Sequence, residues 1–464
     1  MRKIWKYILC LMALVSQEVY GQFSTAEAEV IEEAEAYFDR SDYQMTWSLL
    51  MPLAHIHVND SKINYLLGAS GINLPRYKAE ANAYLHKAAT SNYSEAYLPY
   101  AALLLEQGNI NACLKYLELA SVDEQSSKRI AQLKAHCVNA QKALESENGV
   151  LVQSLDHKVN SDYSEHTPLI SMDDSTLYFT SRRPIDTKAV MDFNDEYDEN
   201  IYQVRKTENG WTNAEPLPGN INQLLNEATV ALRPNGQEMI VFKTTRDLES
   251  SDLWTAIQKG NEWRLDKKLG TPINSKYVEN SAALNTQGNV IYVSSDRPGG
   301  FGGFDLYRVI RFGNGDLSEP QNLGSGINSE YNEIAPFLLP DDKTLYYSSD
   351  NLKSMGGYDV FKTTSINDTT WSEPMGVGNP LNTTADDLHI AVSWKSGQAY
   401  FIRPKQNNLG DFDICTSNMP GFNIKANVYL GHIADYSAED YPEVALFSED
   451  FSETKGIYNV NERG

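Results

Sequence analysis

Five times along this chain an asparagine is followed, five residues on, by an acid and then an apolar run. The pairs are Asn160 and Glu165, Asn222 and Glu227, Asn274 and Glu279, Asn328 and Glu333 and, more loosely, Asn382 and Asp387. Successive acids lie 62, 52, 54 and 54 residues apart. A unit that short cannot bury an apolar face alone, so such units must stack on one another. Each copy holds an inner strand after the acid (Ala228 to Leu232, Ala282 to Leu284, Ile334 to Leu339) and a second strand beyond a turn (Leu177 to Thr180, Met239 to Phe242, Val290 to Val293, Leu345 to Tyr347, Ala399 to Ile402). A third follows a loop and begins Asp252-Leu-Trp, Asp305-Leu-Tyr, Asp359-Val-Phe or Asp413-Ile-Cys, with Asn200-Ile-Tyr in the first copy. Short β-branched and aromatic runs between Asp, Asn, Gly and Pro turns define an all-β region.

A fourth, outer strand is read at Trp211 to Leu217, Trp263 to Leu269, Leu317 to Leu323 and Trp371 to Val377, which makes four for five copies. The fifth copy ends at Asn418-Met-Pro-Gly421 without one, whereas Val150 to Leu155, ahead of the first copy, has the right character. The count balances as a five-bladed β-propeller in which that strand completes the last blade and removes two exposed sheet edges. Six blades, with the tail folded in, is the alternative.

The stretch from Ser294 to Tyr307 carries Gly299, Gly300, Gly302 and Gly303 and invites comparison with a phosphate loop. Its siblings Ser-Met-Gly-Gly (354–357) and Asn-Asn-Leu-Gly (407–410) occupy the same place in other copies, and a strand follows, where a phosphate loop needs a helix N-terminus. The glycines are expected to supply positive φ in a tight turn.

Before Glu145 the character is different. From Thr25 the chain is rich in Ala, Leu, Glu and Tyr, with apolar residues at helical spacing, as in Ala81, Tyr84, Leu85 and Ala88. Tyr65-Leu-Leu-Gly68, with Ala81 and Tyr84-Leu85 behind it, is echoed 32 to 34 residues later by Tyr97 to Leu105, Ala112 and Tyr116-Leu117, and Asp42-Tyr43 with Trp47 suggests an earlier copy. The period resembles tetratricopeptide (TPR) repeats, an architecture that presents an extended surface to partner proteins; a plain helical bundle is the alternative.

The propeller signatures are Asn-x-x-x-x-Glu, then Ser-Ser-Asp-Arg-Pro or Ser-Ser-Asp-Asn after the second strand, then Gly-Gly-x-Asp-[Leu/Val]-[Tyr/Phe] into the third. Over residues 150–420 they resemble the TolB-type WD-like repeat. Together with TPR-like helices and a leader, the chain resembles the PorE family of Bacteroidetes envelope proteins. That resemblance implies a place in type IX secretion or gliding, with a carboxypeptidase-regulatory-like β-sandwich after the propeller and then an OmpA-like peptidoglycan-binding domain. Ile424 to Leu430, Pro442 to Phe447 and Gly456 to Val460 fit the first three strands of such a sandwich, and the expectation is a truncated or split version of the family member. The OmpA-like part has no counterpart here, so peptidoglycan binding is not carried over. The expected organisation is a signal peptide at 1–21, TPR-like helices at 22–146, the propeller at 150–420 and a partial sandwich at 421–464.

Arg2, Lys3 and Lys6 precede an apolar run from Tyr7 to Val15 and the small-residue site Val19-Tyr20-Gly21, the pattern of a cleaved export signal; the run is shorter than the roughly 20 residues a membrane span needs. The formal charge of −23 becomes −25 once those three cations and Glu18 are removed. So acidic a chain repels nucleic acid and anionic membranes, and membrane association is expected to be indirect. Cys113, Cys137 and Cys415 remain. They provide no disulfide framework and read as buried thiols, with a Cys113–Cys137 pair as the alternative.

No Gly-x-Ser-x-Gly elbow or His-Glu-x-x-His helix occurs, and Ser349-Asp350-Asn351 sits at the repeat's own Ser-Ser-Asp position. The first copy carries the acidic insertion Asp192 to Glu199, read as solvated, with calcium the alternative. The five recurring acids, Glu165, Glu227, Glu279, Glu333 and Asp387, are expected near one channel mouth and held by local hydrogen bonds, since five unpaired carboxylates would repel one another. No catalytic, cofactor-binding or metal-binding residue is assigned. The function expected is a non-enzymatic exported scaffold that binds envelope proteins through its helices and propeller; a propeller hydrolase (peptidase or glycosidase) and a soluble-ligand receptor are the alternatives.

Overall fold

A computed structural model describes residues 23–121, 123–145, 150–191, 196–223, 225–244, 251–367, 369–405, 408–419, 443–447 and 454–459. The helices fall, up to Lys142, in one compact unit and the blades, apart from 404–411, in a second. Seven helices are described: α1 (Thr25–Phe38), α2 (Tyr43–Ile56), α3 (Ser61–Gly71), α4 (Lys78–Thr90), α5 (Tyr97–Glu106), α6 (Ile110–Leu119) and α7 (Glu124–Leu144). None is long and apolar enough to cross a membrane.

Their starts are written in the sequence. Ser24 and Glu27 form a reciprocal capping box on α1, while the Asp42 and Asp60 carboxylates accept from the Met45 and Ile63 amides. Small residues set the crossings: a Cβ on Gly68 would stand 2.6 Å from the Leu85 side chain, and one on Gly71 2.6 Å from the Trp47 ring. Trp47 stacks on Tyr77 at 4.5 Å above a buried core of Leu50, Leu53, Ile63 and Leu67.

The second unit is a five-bladed propeller of small antiparallel sheets. The inner, second and third strands are Glu165–Ile170, Thr176–Ser181 and Asn200–Thr207 in blade 1; Glu227–Leu232, Glu238–Thr244 and Ser251–Lys259 in blade 2; Glu279–Leu284, Val290–Ser295 and Asp305–Ile310 in blade 3; Glu333–Leu338, Thr344–Ser349 and Asp359–Asn367 in blade 4; Ala391–Val392, Gln398–Lys405 and Asn408–Asn418 in blade 5. The outer strand is long only in blade 2 (Glu262–Lys268); elsewhere it consists of two-residue pieces such as Gln321–Asn322. In blade 5 it comes from the other end of the repeat region: Gln153 and Ser154 pair with Thr416 and Cys415, and the Leu155 amide donates to the Ile414 carbonyl at 3.0 Å.

Apolar residues fill each blade-to-blade joint. Leu177, Phe179 and Val204 meet Tyr400 and Ile414 between blades 1 and 5, and Tyr178 and Ile201 meet Met239 and Trp263 between blades 1 and 2. The remaining joints are built alike, with Ile240 and Leu253 on Ile291, Tyr292 on Tyr347, and Tyr346 on Phe401. At about 25 cal/mol per Å² of apolar surface removed from water, such joints are the main force closing the ring.

Beyond the propeller, Glu443–Phe447 pairs antiparallel with Thr454–Asn459, where two of the expected tail strands were placed. The export signal, the strand expected at 424–430 and residues 192–195 of the acidic insertion lie outside the described residues.

Candidate functional site

The repeated asparagine and acid are the two halves of one joint. Asn328 accepts from the Leu306 amide through Oδ1 (2.8 Å) and donates from Nδ2 to the Leu306 carbonyl (2.9 Å), so it clamps the third strand of the preceding blade as another strand would. Asn222 does the same to Ile201, Asn274 to Leu253, Asn382 to Val360 and Asn160 to Ile414. The last of these ties blade 1 to blade 5, so the ring is closed by the device that joins every other pair.

The acid fixes the turn between clamp and inner strand. Glu279 accepts from the Ser275 amide and hydroxyl (3.0 and 2.7 Å), from Ser295 (2.8 Å) and from the Arg297 guanidinium (3.0 Å). Glu165 repeats this with Ser161, Ser181 and Arg183; Glu227 pairs with Lys243 and Asp387 with Arg403 and Thr383. Local hydrogen bonds were expected, and the cation adds a partner that the sequence reading left out. Blade 4 departs from the pattern, because Asn351 stands where blade 3 has Arg297. Glu333 keeps the Ser329 and Ser349 bonds, and burial raises its pKa to about 7 against them.

The glycine loop serves the same joint. Of its four glycines only Gly299 has positive φ, which corrects the expectation that the cluster supplies left-handed turns. The other three are required by close approach: a Cβ on Gly302 would lie 1.8 Å from the Tyr331 carbonyl oxygen, one on Gly303 2.4 Å from Asn332 Oδ1, and one on Gly300 2.2 Å from Asp305 Oδ2. The loop amides of Phe301 and Gly302 donate to Asp305, and the Gly303 amide to the Tyr331 carbonyl. An anion is thus bound, but it is the protein's own aspartate.

The channel is a cavity of about 260 Å³ lined by the inner strands of blades 1 to 4 and by His389-Ile390 of blade 5. The recurring acids turn into the blades, and their neighbours His166 and Asn280 line the channel instead. His166 Nε2 lies 3.3 Å from Glu199 Oε1, Arg182 donates to the same carboxylate at 2.8 Å, and the His166 and His389 rings are 6.4 Å apart. Burial opposes ionisation of Glu199, yet His166 and Arg182 outweigh it and lower the pKa to about 2. Burial, reinforced by His166, lowers that of His389 to about 3, so this imidazole is neutral. Thr167, Ala335 and His389, each two residues after its acid, have φ of 48, 50 and 55°. Non-glycine residues there carry backbone strain of order 1–3 kcal/mol, a feature often concentrated at functional sites. His166 and His389 come from the first and fifth copies and occupy positions whose residue type the repeat does not fix; Glu199, read with the acidic insertion as solvated, is instead partly buried and bonded to His166 and Arg182.

His55 and His57 do not form a site: His57 bonds Glu27 at 3.0 Å and His55 is exposed. Among the described residues no group of three or more His, Cys, Asp or Glu is placed to hold a metal.

No family model matches the chain, and no curated protein does. Among solved structures it is similar to a TolB-type protein of Agrobacterium tumefaciens (11% identity, 66% of this chain and 86% of that one, TM-score 0.34). It is also similar to a glycoside hydrolase (9%, 67% and 99%, TM-score 0.42) and to an endo-arabinase of Bacteroides thetaiotaomicron (14%, 58% and 98%, TM-score 0.37).

Proposed function

We propose that this chain is an exported, non-enzymatic scaffold at the outer membrane that binds other envelope proteins, in secretion or gliding machinery of the type IX kind. The observation that carries the protein-binding part is where the exposed apolar side chains gather. Ile185, Val190, Met191, Tyr277, Val278, Phe301 and Leu352 all belong to the loops and lead-in turns at the ends of the blades where the inner strands begin. The opposite ends expose Phe312 and Ile366, and the outer edges of blades 5 and 4 expose Leu151 and Met375. Apolar side chains held on rigid loops and rimmed by polar groups are what a protein partner buries. Location and machinery rest on the leader and on the family resemblance.

A photo-cross-linking amino acid at Phe301 tests this in the native envelope. Capture of a protein from position 301 and not from position 312 supports the reading, and equal capture or none at both sinks it. The second reading, a ligand receptor or hydrolase working at the channel, is favoured by the neutral His389 beside the His166–Glu199 pair. Turnover of a peptide or glycan abolished by His389→Ala would favour it over the scaffold.

A further inference from the structure

Rings from four segments of the helical unit form one continuous strip. Tyr43 of α2 meets Phe38 of α1 at 5.8 Å, Phe38 meets Tyr65 of α3 at 5.9 Å, and Tyr65 meets Tyr93, ahead of α5, at 5.4 Å. All four are half-buried, and Phe38 and Tyr65 rest on the helical core. The hydroxyls of Tyr43, Tyr65 and Tyr93 make no hydrogen bond among the described residues.

The strip is set in negative charge. Burial first, then Tyr93, and then Glu95 and Asp39 raise the pKa of the Tyr65 hydroxyl; burial, then Glu95, Glu35 and Asp60, do the same to Tyr93, so four carboxylates act on these rings. Lys62 answers Glu35 at 2.6 Å. From Thr25 to Asp60 the chain holds eight carboxylates and a single Lys or Arg, Arg40, which lies over the Tyr37 ring. Aromatic faces under a negative potential attract a cation twice, through the ring quadrupole and through the carboxylates. They repel phosphate and acidic surfaces.

We propose that the Tyr43–Phe38–Tyr65–Tyr93 strip docks an extended, lysine- or arginine-bearing segment of a partner protein. Cationic side chains lie over the rings between Asp39 and Glu95, and the free tyrosine hydroxyls bond the segment's backbone. This deepens the scaffold reading by giving the helical unit a partner chemistry of its own.

The test is calorimetric titration of the full chain with a capped alternating Ala-Lys decapeptide, with the Ala-Glu decapeptide as the opposite-charge control. Binding of the basic peptide alone is expected. Asp39→Asn with Glu95→Gln should weaken it about tenfold, while Glu29→Gln with Glu33→Gln, which removes the same charge from α1 away from the rings, should change it less than about twofold. Tyr93→Leu should cost about fivefold, the worth of one cation–π contact of ~1 kcal/mol. Matching melting curves check that the variants fold. Equal weakening by the two charge-removing pairs would mean bulk attraction and would overturn the proposal, as would no binding or equal binding of the acidic peptide. Capture at Phe301 reads the other unit, so its success alongside failure here would remove the strip and leave the scaffold reading standing.

Discussion

Replacing Glu333 with glutamine should stabilise the propeller at pH 8 relative to the unchanged protein and confer little at pH 5. Glu333 is fully buried and its pKa is raised to about 7 by burial, from an ordinary value of 4.5. The folded state therefore holds this proton more tightly than the unfolded one. Its stabilising contribution is complete below about pH 4.5 and is lost as pH rises through 7. Two and a half pKa units at 1.36 kcal/mol each come to about 3 kcal/mol, most of it falling between pH 5 and pH 8. Glutamine cannot ionise, so the loss disappears, whatever constant cost its weaker hydrogen bonds add. The assay is urea unfolding of both proteins from pH 5 to 8.5, followed by the tryptophan fluorescence of the blades. The curves of stability against pH should converge toward acid and separate toward base. Parallel curves would refute the reasoning, because they would mean that Glu333 titrates alike in both states.

Asn328→Ala strands a buried amide and carbonyl of Leu306 and should cost about 2–3 kcal/mol by chemical denaturation. Gly302→Ala drives a methyl into the Tyr331 carbonyl and should lower the melting temperature far more than Gly299→Ala, whose Cβ would meet nothing within 4 Å and which carries only the positive-φ penalty of about 1 kcal/mol. Cys113 and Cys137 have their sulfurs 3.4 Å apart, so refolding with oxidised glutathione, which takes the two electrons, should lower the intact mass by two hydrogens, and Cys113→Ser should prevent it.

The architecture was legible because it repeats: a pattern met five times in register separates structure from accident, and the missing fourth strand could be counted. The role of the pattern was less legible. Asn160, Asn222, Asn274, Asn328 and Asn382 bond into the preceding blade, and for Asn160 that partner is Ile414, so local reading gave them no task. The glycine cluster was placed in the right loop for the wrong reason, since crowding by Tyr331 and Asn332 is invisible until the blades meet. The absent cation of blade 4 was there in Ser-Ser-Asp-Asn set beside Ser-Ser-Asp-Arg, but its consequence for Glu333 needs burial to be known. His166 and His389 carry no motif, because it is closure of the ring that brings His389 of blade 5 to the His166–Glu199 pair of blade 1.

Closure by the strand arriving from the N-terminal side is tested most directly by amide hydrogen exchange at the joint between blades 5 and 1. The Leu155 amide donates to the Ile414 carbonyl and the Ile414 amide to Asn160 Oδ1, just as the Leu306 and Val360 amides donate to Asn328 and Asn382 in joints of continuous sequence. Protection at Leu155 and Ile414 should match that at Leu306 and Val360, and Asn160→Ala should lower it at Ile414. Exchange at Leu155 and Ile414 as fast as in an unstructured chain, with Leu306 and Val360 still protected, would contradict the closed ring.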